Sequence, residues 1–334
     1  MPNDEQPTHR PAAELIADWI VERLEAHRDK WTADHPGKEG RAPPLVCAIQ
    51  GPQGSGKSYT ASKLPALLSR ASSSSPTPIR TVALSLDDLY LPHSALASVA
   101  ASNPSNALLS GRGQAGTHDL PLALRVLRAL KTPEPGADAV RLPVFDKSLH
   151  GGEGDRVPED EWVSVGAPDE VDVVVFEGWM NGFRPLSPPT RLRELYSLAQ
   201  ANPEGASARL GIDYTPPFLL EHDVAHLEAV QDNLRAYEEL WELVDVFVQI
   251  RPERMGFVWE WRLEGRPLQE HNMKAQNGGV GMTDEQVKHF IARYMPGYEL
   301  FLRGIDDARN PWVGGNGLRV VVDKRREVSA VERF

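Results

Sequence analysis

At 334 residues, 41% hydrophobic and 25% charged, the chain has room for one large or two modest domains and the composition of a folded soluble protein. Its formal charge of −11, from 36 Lys and Arg against 47 Asp and Glu, argues against a nucleic-acid or anionic-membrane surface, since both would repel it at long range. One cysteine, Cys47, excludes an intramolecular disulfide and a Cys-based zinc site, and no apolar run approaches the roughly 20 residues of a membrane span. The polar start from Met1 to Arg10 is neither a secretory signal nor an Arg-rich transit peptide, so a cytoplasmic location is expected, with the nucleus also open.

In chain order, Leu15, Ile16, Trp19, Ile20 and Leu24 place an amphipathic helix before the first strand. Five short, β-branched apolar runs follow, at 45–50, 81–86, 171–176, 244–250 and 318–323. None alternates cleanly, which marks strands covered on both faces of a parallel sheet. Between them, Val224, Leu227, Val230, Leu234, Tyr237, Trp241 and Val244 recur at helical spacing behind Asp223, a suitable N-cap. Thr283 and Gln286 form a capping-box pair ahead of Val287, Phe290, Ile291 and Tyr294, after which Pro296 implies a kink or break. Strand and helix alternate, so the class is α/β, with a mostly parallel five-stranded sheet flanked by helices. The Pro- and Ser-rich stretches 72–78, 132–138, 185–189 and 202–217 are too short to separate independent domains. The expectation is one domain over 41–334, with a helix in 1–40 packed on it and excursions at about 92–118, 139–168 and 201–222.

The strongest motif is Gly51-Pro52-Gln53-Gly54-Ser55-Gly56-Lys57-Ser58, a full G-x-x-x-x-G-K-[ST] between the first strand and a helix continuing through Leu67 or Leu68. A chance match in a chain of this composition is expected only about 0.005 times, so the motif reads as a nucleoside triphosphate site. The glycines let backbone N–H groups converge on phosphate oxygens, and the helix N-terminus adds partial positive charge. Lys57 should reach the β- and γ-phosphates and the Ser58 hydroxyl should ligate Mg²⁺, so the expected cofactors are ATP and Mg²⁺. The nucleotide contacts are assigned to Gly51, Gln53, Gly54, Ser55, Gly56, Lys57, Ser58 and Tyr59.

Ligands of an open parallel sheet sit beyond the carboxyl ends of its strands. The second strand ends Ser85-Leu86-Asp87-Asp88-Leu89-Tyr90 and the third Phe176-Glu177-Gly178-Trp179. Glu177 suits the Mg²⁺ side of the site, with Ser58. Asp87 suits a base that accepts the proton of an attacking hydroxyl, and Asp88 equally suits a cap for the next helix.

The P-loop, the S-x-D-x-[FLY]-Y strand end and the F-E-G strand end together resemble the phosphoribulokinase/uridine kinase/pantothenate kinase superfamily. Within it, the chain is more similar to the D-glycerate 3-kinase family of plants and its fungal relatives, over about residues 40 to 325. Segments carrying that resemblance are Gly113-Gln114-Ala115-Gly116-Thr117-His118-Asp119, Pro143-Val144-Phe145-Asp146-Lys147-Ser148 and Gly152-Glu153-Gly154-Asp155-Arg156. Met282-Thr283-Asp284-Glu285-Gln286-Val287 through Arg293-Tyr294-Met295-Pro296 also belongs to it. The resemblance implies that Asp87 is the catalytic aspartate and Glu177 the acidic residue beside Mg²⁺. It also implies a lid at about 253–281, in which Arg262 approaches the transferring phosphoryl; Gly265-Arg266-Pro267-Leu268 lengthens that segment and makes Arg266 the other candidate.

Arg112, Lys147 and Arg156 flank Gly-rich loops and could present cations to an anionic substrate, although isolated basic loop residues are usually solvated. His118 is a fourth substrate candidate, though a lone His is more often structural, and Thr117 equally suits the cap of a helix from about Asp119 to Lys131. Cys47 reads as core; Trp179 and Trp261 read as core or pocket wall. The resulting expectation is an ATP-dependent kinase acting on a small-molecule hydroxyl, with D-glycerate the favoured acceptor. A uridine- or pantothenate-like kinase and a non-catalytic ATP-binding regulator stay open. The absence of an N-K-x-D string speaks against a GTPase, and nothing in the sequence points to a protein partner.

Overall fold

The computed structural model describes residues 10–37, 40–71, 77–133, 139–264 and 291–334. Arg266, the rest of the expected lid beyond residue 264 and the Thr283/Gln286 capping box lie outside them.

The central sheet is built from β1 (Leu45–Gln50), β2 (Thr81–Ser85), β7 (Val173–Gly178), β8 (Val246–Pro252), β9 (Gly317–Val322) and β10 (Val328–Arg333), in the order β10-β9-β8-β1-β7-β2. All pairings are parallel except β9 with β10. The sheet thus has six strands where five apolar runs predict five. The additional strand is an edge strand, exposed along most of its length, and so carries no apolar run. Two predicted strands are displaced by two residues, because Asp172 and Asp245 precede strands rather than sit within them. Asp172 takes ion pairs from Arg28 and Arg41 and the backbone N–H of Arg80 (2.8 Å), while Asp245 accepts from Val46 N (2.9 Å) and pairs with Lys131 (2.6 Å).

Successive residues of the inner strands point to opposite faces, and both faces are covered. Leu45, Cys47 and Ile49 of β1, with Val173, Val175, Val246 and Val248, pack against α1 (Ala12–Asp34) and α2 (Lys57–Ala71) through Ile16, Ile20, Leu64 and Leu68. Val46, Ala48, Val174, Phe176 and Phe247 face the other layer, to which α4 (Leu120–Lys131), α5 (Arg191–Ala201) and α7 (Val224–Leu234) contribute. The excursions carry their own structure. One holds the helix His93–Ser102; another holds two short ribbons, β3 (Val140–Leu142) with β6 (Val163–Val165) and β4 (Phe145–Asp146) with β5 (Asp155–Arg156). Two further helices matter below: α9 (Phe257–Glu264) and α10 (Met295–Phe301), the latter with Pro296 in its first turn, where its missing N–H costs nothing. β1 lies between β7 and β8, so the carboxyl ends of β1, β2 and β7 open together on one crevice.

Candidate active site

β1 runs directly into the glycine loop, and α2 begins at Lys57. Gly54 and Gly56 have φ of +83° and +89°, where a side chain is strained. A Cβ on Gly54 would in addition lie 2.6 Å from the Cβ of Trp261 on α9. The first N–H groups of α2 have no intrahelical acceptor, so they and the helix dipole create an anion-binding end. Gln53 is held from α10: its N–H donates to the Tyr298 hydroxyl (3.3 Å), which donates to the Gln53 side-chain carbonyl. Tyr59 is 67% exposed, with Lys63 Nζ 5.3 Å from its ring centroid, so the ring of this predicted nucleotide contact is turned to solvent.

The strand register pairs Ile49 and Ser85 with Glu177 from either side. Ser58 Oγ donates to Glu177 Oε1 (3.2 Å) and Ser85 Oγ donates to the same oxygen (2.8 Å). Lys57 Nζ stands 3.9 Å from Oε2, a buried oxygen that accepts no hydrogen bond. A hydroxyl and a carboxylate with an unused oxygen form a hard donor set, which fits Mg²⁺. Among the described residues, no group of three or more His, Cys, Asp or Glu could cage a metal.

After β2 the chain enters a 3₁₀ turn over Leu86–Leu89, capped by Ser85, whose Oγ also accepts from Asp87 N (3.2 Å). One hydroxyl thereby ties Glu177 to the backbone that carries Asp87. Asp87 Oδ1 accepts from the Tyr90 hydroxyl (3.1 Å) and Oδ2 pairs with Lys147 Nζ (2.6 Å). Burial opposes the Asp87 charge, but Lys147 and Lys57 outweigh it and hold its pKa at about 2. Burial also acts against the Lys147 charge, and Asp87 outweighs it, so that pKa is raised. Burial, then Asp87, pushes the Tyr90 phenol up, which keeps it a donor. Asp88 caps no helix: its Oδ1 accepts from Phe145 N (3.2 Å) and so fastens β4, and burial raises its pKa to about 6.

The other candidates fall into two sets. Arg112 donates to the carbonyls of Gly152 (2.8 Å) and Glu153, with its guanidinium 5.8 Å from the Phe145 ring centroid. Arg262 has its pKa lowered by burial, opposed by Tyr294, Tyr298 and Asp87. Arg156 is turned to a structural task, pairing with Asp119 (3.0 Å) and donating to Tyr90 O (2.6 Å). His118 is buried, stacked on Tyr90 at 4.4 Å and bonded through Nδ1 to the Tyr237 hydroxyl (2.7 Å); burial lowers its pKa to about 4, so it is neutral at pH 7. The α4 cap is Asp119, which accepts from Leu122 N (3.1 Å), rather than Thr117. The Thr117 hydroxyl closes its own loop, donating to Gln114 O (2.7 Å) and accepting from Gly113 N (3.1 Å).

Sequence reasoning missed Tyr90, Tyr298 and Ser85 as partners of the candidate residues, and read Tyr294 only as a helix face. Burial, then Asp87, raises the Tyr294 pKa, with Arg293, Arg112 and Arg262 acting in the opposite sense. Trp179 is a buried wall, edge-on to Tyr294 (5.1 Å) and Tyr298 (5.5 Å). The four-residue spacing of Tyr294 and Tyr298 was the available signal, since it puts both on one face of a helix.

No family model matches the chain. The solved structure of D-glycerate 3-kinase from Cryptococcus neoformans var. grubii is 44% identical and superposes with a TM-score of 0.82, covering 97% of this chain and 100% of that one. The uncharacterised kinase mug58 of Schizosaccharomyces pombe is 34% identical over 314 residues, 94% of this chain and 96% of that protein. The chloroplastic D-glycerate 3-kinase of Arabidopsis thaliana is 32% identical over 286 residues, 85% of this chain and 52% of that protein. A P-loop at the end of β1, flanked by acidic ends of β2 and β7, and likeness at this level across nearly the whole chain lead to one assignment: the chain belongs to the D-glycerate 3-kinase family of ATP-dependent P-loop kinases.

Proposed function

We propose that this protein transfers the γ-phosphate of ATP to the 3-hydroxyl of D-glycerate, giving 3-phosphoglycerate and ADP. The observation carrying the reading is the Asp87–Lys147 ion pair of 2.6 Å, set within the electrostatic reach of Lys57. A hydroxyl-directed carboxylate and a cation for the substrate carboxylate there stand side by side. Lys57 and the start of α2 would hold the β- and γ-phosphates. Ser58 and Glu177 would hold Mg²⁺, which when bound neutralises charge on the phosphate oxygens. Asp87 would orient the attacking hydroxyl and accept its proton. A low pKa is compatible with that task, because the phosphoryl transition state is loose and proton transfer runs late. Lys147 and Arg112 would meet the glycerate carboxylate, and Arg262 the transferring phosphoryl group.

ADP release measured with D-glycerate, uridine, pantothenate and no acceptor tests the assignment. Glycerate should stimulate release most; a better rate with uridine would leave only the kinase class standing. Within the glycerate reading, Arg112→Met should raise the glycerate KM about 10- to 150-fold, the worth of one charge-assisted pair of about 1.5–3 kcal/mol, and leave the ATP KM nearly unchanged. Glu177→Gln should raise the Mg²⁺ concentration needed for half-maximal rate, because an amide is a poorer ligand for a hard cation; an unchanged Mg²⁺ titration would remove Glu177 from the metal site.

A further inference from the structure

The turn between β9 and β10 reaches across to the glycine loop. It is tight: Asp323 N donates to Glu327 O (2.9 Å), Arg326 N to Asp323 O (3.0 Å), and Glu327 N to Asp323 Oδ1 (2.9 Å). Within it Arg326 has φ of +69°, a left-handed conformation that glycine occupies freely and a branched-out side chain does not. Backbone alone would favour Gly here, so the side chain is where a compensating interaction is to be sought.

That interaction is with the P-loop. Arg326 Nε donates to Gly54 O at 2.6 Å, and the guanidinium stands 5.2 Å from the Trp261 ring centroid. Trp261 Nε1 donates back to Lys324 O (2.7 Å), and Lys324 pairs with Glu260 (2.5 Å). The turn therefore grips α9 at two points and the P-loop at a third. The Gly54–Ser55 peptide is fixed at both ends: Arg326 holds its carbonyl, and Pro52 O accepts its N–H (3.1 Å). The N–H groups that follow, from Gly56 to Ser58, are those that must converge on phosphate, and their aim depends on how this peptide is set. A cation on the carbonyl also polarises the peptide.

We propose that Arg326 is a positioning residue for the nucleotide: by holding the Gly54 peptide it presets the P-loop and thereby sets ATP affinity. The inference rests on the reading of this loop as the ATP site.

Arg326→Gly in the full chain separates this role from a structural one, because Gly suits the turn. Binding of ADP with Mg²⁺ by calorimetry, steady-state kinetics and Tm would be measured together. The dissociation constant for ADP and the KM for ATP should rise about 3- to 10-fold, less than the 10- to 150-fold of a well-shielded charged hydrogen bond because the site is exposed. The kcat and glycerate KM should stay within about twofold, and Tm should hold or rise. Unchanged ADP affinity, or a fall in Tm with all kinetic constants worsening together, would overturn the proposal. Lys57→Ala is measured alongside. If it binds ADP like the wild type, the ATP-site reading fails and takes the proposal with it. If it binds weakly while Arg326→Gly binds normally, only the proposal for Arg326 fails.

Discussion

Asp87→Asn is expected to lower kcat about 10²- to 10⁴-fold, the usual contribution of a positioned general base, while ADP binding stays near wild type. The amide can still accept from Tyr90 but cannot take a proton from the attacking hydroxyl, and it no longer draws Lys147 into an ion pair. The fold should persist. Burial works against the Asp87 charge, but the lysines hold its pKa at about 2 against an ordinary 3.8, so the charged form adds stability at neutral pH. The sign follows from the depression: this contribution is complete above about pH 4 and fades as pH falls through about 2. The variant forfeits it across the neutral range, so its Tm should drop modestly while its activity collapses. Wild-type turnover in Asp87→Asn would remove the base from the mechanism.

Lys57→Ala should have a comparable effect for a different reason. In the proposed function its ammonium is the P-loop's point charge for the phosphates, and removing a preorganised charge of this kind typically costs about 10²- to 10³-fold in kcat. The anion it pairs with among the described residues, Glu177 Oε2, lies 3.9 Å away, too loose a contact for the apo fold to depend on it. Tm without nucleotide should therefore barely move, whereas the Tm increase that ATP with Mg²⁺ gives the wild type should shrink. Full turnover at saturating ATP and Mg²⁺ would mean that the loop does not serve phosphoryl transfer.

The two acidic strand ends were legible because they rest on local pattern plus one topological rule. Glu177 closes an apolar run and Asp87 follows another, and in a parallel sheet the carboxyl ends of neighbouring strands share a crevice. The register then brings Ser85 beside Glu177, which no spacing in the sequence announces. The three basic substrate candidates rest on charge and Gly-rich surroundings, and here packing decided. Lys147 meets Asp87 from 60 residues along the chain, whereas Arg156, from a neighbouring loop of similar composition, is taken up by Asp119 and Tyr90 O. His118 is lodged in a stack of aromatic rings where burial keeps it neutral.

By itself the sequence determined the features that a few consecutive residues can fix: the P-loop, the apolar cores of five strands, the Asp223 cap and the acidic residues that follow two strands. Each is set by backbone conformation, hydrogen bonding or hydrophobic period within one segment. The tertiary structure alone decided which distant groups complete the site. Tyr298 reaches Gln53 across 245 residues and Arg326 reaches Gly54 across 272, one from the middle of α10 and the other from a strained turn at the sheet edge. The physical reason is that a polar side chain takes whichever partner burial brings within about 3 Å, and that choice depends on how the layers pack rather than on the residues beside it in the chain.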